Sequence, residues 1–340
     1  MKTVRIGIVV LGLFLNGGAS AEQQRGSTVW DGFSGFLQPD WERDFSLTLG
    51  VKVWVNEWTR DTFFFENTQV PDLLNGIVIG GLDLSGTIFT NRTDQSPTVQ
   101  TSDIEPTPIP QLSVRYKWLL LSGSYYPETD FEFRTAQTNF TVTQTLANFT
   151  DVRTDQFTFL RTTTAEREEW DAGLGILIHP NVAILGGYKQ IDQEIGISST
   201  LDILSNVAAP VTAAPGGRSS SEIEIRGPTI GVAGSVPITG GFGLYASYAR
   251  GFMDVDITDT NIVAGTSTTR DSDAEYDVAE LGFSYTHGTK EFIPFALLSA
   301  ATVYAGYRWQ HIETDFSDVP NTEDRTDTTR GFVAGVNLSF

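Results

Sequence analysis

From Phe45 to Val55 the chain reads Phe-Ser-Leu-Thr-Leu-Gly-Val-Lys-Val-Trp-Val, so every odd-numbered position is apolar while the even ones carry Ser, Thr, Gly, Lys and Trp. A β-strand sends successive side chains to opposite faces, and this run therefore has one wholly apolar face and one mostly polar face. The far end of the chain repeats the pattern: Phe332, Ala334, Val336, Leu338 and Phe340 share one side, and Gly335, Asn337 and Ser339 share the other. Helical periodicity is absent between these ends. The chain is expected to be all-β.

Segments of this type recur in two alternating forms. One carries a small residue followed by Tyr, as in Gly187-Tyr188-Lys189 and Gly306-Tyr307-Arg308; the other is glycine-rich and apolar, as in Trp170 to Ile178 and Ala279 to Tyr285. Ten strands are predicted, over 43–56, 106–116, 118–134, 164–178, 182–197, 222–236, 241–257, 274–286, 297–314 and 328–340. Short turns such as His179-Pro180-Asn181 join them at one end. Long polar stretches at 57–104, 135–165, 198–221, 258–273 and 316–327, rich in Thr, Asn, Asp and Ser, join them at the other. Short turns on one side and long loops on the other are what transmembrane barrels show. An even number of strands lets the last pair antiparallel with the first, which leaves no unpaired edge in hydrocarbon. The fold expected is a closed antiparallel transmembrane β-barrel. The apolar stretch Leu73 to Phe89 offers one further hairpin, and with it a twelve-stranded alternative.

The N-terminus points to export. Lys2 and Arg5 precede an apolar run, Ile6 to Leu15, that Asn16-Gly17-Gly18 interrupts before the small-residue pattern Ala19-Ser20-Ala21. That run is too short for a bilayer-spanning helix, which needs about 20 residues, and residues 1–21 read as a signal peptide. Residues 22–42, with Trp30, Phe33, Phe36, Leu37 and Trp41 among glycines, read as an N-terminal periplasmic or plug segment, and 43–340 as the barrel. The last ten residues resemble the C-terminal insertion signal of bacterial outer-membrane barrels, with Phe332, Val336, Leu338 and the terminal Phe340 as its apolar positions. With the leader, the chain as a whole resembles the small porin-like outer-membrane barrels of Gram-negative bacteria. That resemblance implies an outer-membrane location, contact with lipid and lipopolysaccharide, engagement of the barrel-assembly machinery through the C-terminal strand, and a monomer.

Composition narrows the function classes. The apolar content of 40% and mean hydropathy of −0.10 suit a barrel whose lumen-facing residues dilute its lipid-facing ones. The formal charge of −20 offers no basic face to nucleic acid. With no cysteine and three histidines, no cofactor or transition-metal site is predicted. Asp254, Asp256, Asp259, Asp271 and Asp273 read as a solvated acidic rim.

Parity assigns the two faces. Val51, Val53, Leu112, Leu121, Leu174, Ile176, Ile184, Ile230, Leu281, Phe283 and Val303 fall on the lipid side, with Tyr116, Trp118, Trp170, Tyr188, Tyr248, Tyr285, Tyr307 and Trp309 near strand ends, where aromatic girdles belong. The lumen side gathers basic Lys52, Arg115, Lys189 and Arg308, acidic Glu128, Glu169, Asp171 and Glu280, and many glycines and serines. These charges read either as a salt-bridge network filling the barrel or as an eyelet passing small ions or solutes. A barrel of about ten strands sits near the size at which side chains fill the interior. The functions expected are a narrow porin-like channel or a structural envelope protein, with surface recognition or adhesion through the loops as the alternative. A rim hydrolase is the third class. Omptins, ten-stranded outer-membrane proteases, carry paired aspartates and an Asp–His couple. Here Asp254, Asp256 and His311 lie near the rim, but no Asp-x-His motif occurs, and the parity of His311 points it outward.

Overall fold

Each alternating segment forms a strand in the computed structural model, which describes residues 45–61, 99–145, 152–179, 181–205, 218–262, 265–288, 298–315 and 325–340, with short pieces at 78–79, 82–83 and 91–93. The segments read as signal peptide and N-terminal plug lie outside the described residues. In chain order the strands are β1 (Phe45–Asp61), β2 (Val78–Ile79), β3 (Leu82–Asp83), β4 (Asn91–Thr93), β5 (Val99–Thr101), β6 (Glu105–Tyr116), β7 (Leu119–Thr145), β8 (Val152–His179), β9 (Val182–Ser205), β10 (Arg218–Thr239), β11 (Phe242–Asn261), β12 (Thr266–Gly288), β13 (Ala300–Asp315) and β14 (Arg325–Ser339).

Ten of these, β1 and β6 to β14, pair antiparallel with their sequence neighbours, and β14 pairs with β1 to close the cylinder. The seam runs from Thr48 opposite Ser339 to Arg60 opposite Asp327. Beyond it the Phe340 amide donates to the Leu47 carbonyl at 2.8 Å. Closure matters energetically because each backbone group left unpaired in hydrocarbon costs several kcal/mol.

The twelve-stranded alternative does not form. Within Leu73 to Phe89 only β2 and β3 are described, a small hairpin that pairs with itself and not with the barrel. The sequence supplies the reason: Asn75-Gly76, Gly80-Gly81 and Ser85-Gly86 cut the stretch into pieces well short of the roughly 9–11 residues a spanning strand needs. Instead, β5 pairs with β1 and β4 pairs with β7, extending the wall beyond the start of β6.

One end has tight turns. Lys117 takes φ 54° between β6 and β7, and Gly240 and Gly241 take φ 59° and 90° between β10 and β11, the left-handed pair that a two-residue hairpin requires. At the other end several strands run much further than the sequence suggests. β7, β8 and β9 have 27, 28 and 24 residues, so that most of the predicted loop 135–165 is strand. Those stretches are rich in Thr, with no glycine or proline between Phe131 and Ala165, and a polar β-branched strand is read as a loop when apolar alternation is the guide.

The outer surface has the predicted apolar belt: Leu121, Leu174, Ile184, Ile230, Leu281 and Val303 all point outward and are exposed. Aromatics bound it on both sides. Phe242 and Tyr285 pack 4.8 Å apart at the turn end, while Trp170 and Tyr188 (5.8 Å) and Tyr307 and Phe332 (5.5 Å) meet on the loop side. Beyond these last pairs the outward residues are mostly Glu, Asp, Thr and Arg, with Phe252 an exposed exception, which sets the limit of the membrane-spanning zone. Phe332, Val336 and Leu338 of the terminal strand face outward within the belt.

Candidate functional site

The interior of the cylinder is filled by charged and aromatic side chains that lock together. Two carboxylates anchor it. Glu169 on β8 accepts from Arg167 Nε at 2.7 Å through Oε1 and pairs with Lys189 Nζ at 2.6 Å through Oε2. Gln310 on β13 adds a bond to Oε1 at 3.2 Å, and Arg167 also donates to Thr329 on β14 at 2.9 Å. The second anchor, Glu280 on β12, holds Lys52 at 3.4 Å and Arg308 at 3.6 Å on one oxygen and accepts the Tyr245 hydroxyl at 3.0 Å on the other. Arg308 donates to Gln310 at 3.3 Å, which joins the two halves into one lattice across the lumen.

Aromatic faces support the cations. Arg308 lies 4.8 Å from the Trp54 ring centroid, Arg167 5.2 Å from Trp58, and Lys189 5.5 Å from Tyr276. Cation–π contacts of this kind strengthen when both partners are out of water. Glu169, Lys189 and Arg167 are each 2% exposed, Glu280 is 3%, Arg308 1% and Lys52 0%. Unpaired, any of them would carry a large desolvation cost, and the lattice supplies the partners.

Small residues make the room. Tyr245 and Tyr304 meet edge to face at 6.0 Å inside the barrel. A Cβ at Gly282 or Gly306 would meet the Tyr245 hydroxyl, and one at Gly335 would meet that of Tyr304. Gly282 lies directly opposite Gly306, and Tyr304 opposite Gly335, so three neighbouring strands leave one recess for two rings.

Seven of the eight charges assigned to the lumen lie there. Lys52, Glu169, Lys189, Glu280 and Arg308 join the lattice; Asp171 is buried beside Ser124, whose hydroxyl donates to it at 2.5 Å, and Arg115 is buried nearer the turn end. The eighth, Glu128, is a correction: it is exposed on the outer face. The ladder between β7 and β8 shifts register between Tyr126 and Thr129, a bulge at Pro127-Glu128 that reverses the parity as far as Phe133, where a second shift follows. After it Phe131 and Phe133, not the even positions, point inward.

Sequence reasoning missed Arg167, Trp58, Tyr245, Tyr276 and Gln310. Arg167 shares the parity of Glu169, and Trp58 continues that of Lys52, but Trp58 lay past the predicted end of its strand. Glu128 instead joins Glu166, Glu168, Asp192, Glu194 and Glu224 along an outward groove beyond the girdle. Burial, then the carboxylates of Glu128, Glu194 and Asp130, raise the pKa of Glu166.

The rim residues weighed for hydrolysis also face outward. Asp254 and Asp256 alternate with buried Met253, Val255 and Ile257, and Asp256 accepts from Arg226 at 3.0 Å. His311 stacks on Trp309 at 5.4 Å, and its Nδ1 lies 2.9 Å from the Thr328 hydroxyl. These side chains do not converge inside the mouth.

No family model and no curated protein matches the chain. Solved structures similar to it include the outer membrane protease OmpT from Escherichia coli (12% identity over 89% of this chain and 98% of that one, TM-score 0.45). Others are a Pseudomonas aeruginosa FadL homologue (10%, 87% and 90%, TM-score 0.30) and the P. putida toluene transporter TodX (10%, 88% and 90%, TM-score 0.26). At these values the likenesses carry no functional argument.

Proposed function

We propose that this protein is an outer-membrane barrel with a sealed lumen, acting as a rigid carrier for a recognition surface at its extracellular, loop-bearing end. The observation that carries this reading is the lattice of Lys52, Arg167, Glu169, Lys189, Glu280 and Arg308, nearly inaccessible and bonded across the lumen. Strands of 24 to 28 residues support it further. Spanning takes about 9–11 residues, so much of β7, β8 and β9 builds a wall beyond the membrane, where a partner can be met. In this reading lipid contacts the belt, lipopolysaccharide surrounds the charged zone above it, and the C-terminal strand engages the barrel-assembly machinery.

A second reading, a narrow channel favouring anions, rests on the cationic excess of the buried interior: Lys52, Arg60, Arg115, Arg167, Lys189 and Arg308 against Glu169, Asp171, Glu280 and Asp327. Planar-bilayer recording separates the two. Refolded protein at neutral pH is expected to give no steady unitary current. Stable steps with anion selectivity would replace the sealed carrier with the channel.

A further inference from the structure

The loop end of the interior holds a second group of charges that the lattice does not use. Arg60 on β1, Arg161 on β8, Arg270 on β12 and Arg325 on β14 all occupy inward positions of their strands beyond the aromatic girdle. Arg60 lies directly opposite Asp327 in the seam, and Arg325 is two residues further along the same face of β14. The Arg60 guanidinium sits 6.0 Å from the Trp58 ring and 5.8 Å from that of Phe133. Phe133 is opposite Thr163, which shares a face with Arg161 two residues on.

Four cations from four strands thus converge, and among the described residues the buried carboxylate beside them is Asp327, opposite Arg60. The carboxylates acting on Arg60 are Asp327 and Asp61. Asp61 faces outward, where its Oδ2 accepts from the Thr326 amide at 3.0 Å and hydroxyl at 2.5 Å. Asp259 is held by Arg270 at 2.9 Å. The crowding is felt: burial, then Arg60, brings the Arg161 pKa down to about 10, and burial, then Arg60, takes that of Arg325 to about 9.

Arg60 is the telling member. It is 5% exposed, yet among the described residues its Nε and Nη1 find no acceptor, and the hydroxyl of Thr163, 1% exposed, likewise has no partner there. A buried donor left unmade costs about 1–3 kcal/mol, more when charged. A guanidinium fork matches the two oxygens of a carboxylate or phosphate. We infer that this mouth is an oxyanion-binding site, taking a phosphate or carboxylate group between Arg60, Arg161 and Arg325. The inference deepens the recognition reading, and rests on it for access from outside. The group could arrive on a free solute or on a phosphorylated lipid.

The test uses the full mature chain refolded in zwitterionic detergent, with the loss of compact, heat-modifiable gel mobility as readout. Sodium phosphate is titrated against sodium chloride of equal ionic strength, and phosphatidic acid in mixed micelles forms a second arm. The expected result is a saturable rise of roughly 5 °C in the midpoint with phosphate, absent in Arg60→Gln. Arg325→Gln gives the same answer should the first variant fail to fold. A rise seen only with phosphatidic acid, and lost in these variants, supports the site and assigns the group to lipid. A rise no greater than that with chloride in both arms, or one that persists in both variants, overturns the inference. A barrel that conducts while its phosphate response still needs Arg60 would overturn the sealed carrier and leave the site standing.

Discussion

Replacing Glu169 with leucine should destabilise the barrel by about 3–5 kcal/mol, because Arg167 and Lys189 then remain buried without their counter-ion. Guanidinium-driven unfolding from lipid vesicles, followed by tryptophan emission, reads this as a lowered midpoint at unchanged slope. Removing a carboxylate is not in itself the cause. Asp254→Asn, on the exposed outer wall, should stay within about 0.5 kcal/mol of the parent. The double variant Glu169→Leu/Lys189→Met should recover part of the loss, since it removes a stranded cation along with its partner, and the two effects should therefore fail to add. A Glu169→Leu protein as stable as the parent would show that the lattice does not hold the interior together.

Gly331→Val is expected to abolish the compact form altogether. Gly331 lies opposite Asn56 across the seam, and a Cβ there would run into the Val55 carbonyl oxygen and come within 2.8 Å of the Asn56 Cα. These are backbone atoms, which cannot swing aside as the tip of a long side chain can. Relief requires β1 and β14 to part, and parting them exposes two rows of amides and carbonyls at several kcal/mol each. Gly186→Val is the control. It faces outward between Leu174 and Ile230, and a Cβ there meets nothing within 4 Å. The check is gel mobility before and after heating: Gly186→Val should retain the fast-migrating species and Gly331→Val should show none.

The period of two, recurring in segments from Phe45 to Phe340, together with short turns at one end and long loops at the other, predicted about ten antiparallel strands, a closing seam and the apolar belt. It reads the lipid face well because hydrocarbon tolerates little but apolar side chains there. It reads less well beyond the membrane, where the sequence of β7 and β8 is rich in Thr and the apolar alternation that separates strand from loop weakens. That is why Trp58 and Arg60 fell outside the predicted first strand, and the mouth of the barrel with them.

Pairing is a different matter. Parity placed Glu169, Lys189, Glu280 and Arg308 on one face, but which acid meets which base depends on shear and tilt, which no single strand encodes. Glu128 shows the remaining limit. One extra residue at a bulge beside Pro127 inverts parity from Thr129 to Phe133, and a proline in a strand is the only hint of it in the sequence.

A cysteine scan along β13 tests the central claim most directly, since the chain has no cysteine of its own. Single cysteines from Thr302 to Gln310 in vesicle-reconstituted protein would be treated with a water-soluble thiol reagent and, separately, with a lipid-soluble one. The sealed barrel predicts that positions 303, 305 and 307 react only with the lipid-soluble reagent, while 302, 304, 308 and 310 react slowly with both. Rapid water-soluble labelling at the even positions would reveal an open aqueous lumen, and labelling without a two-residue alternation would contradict the barrel itself.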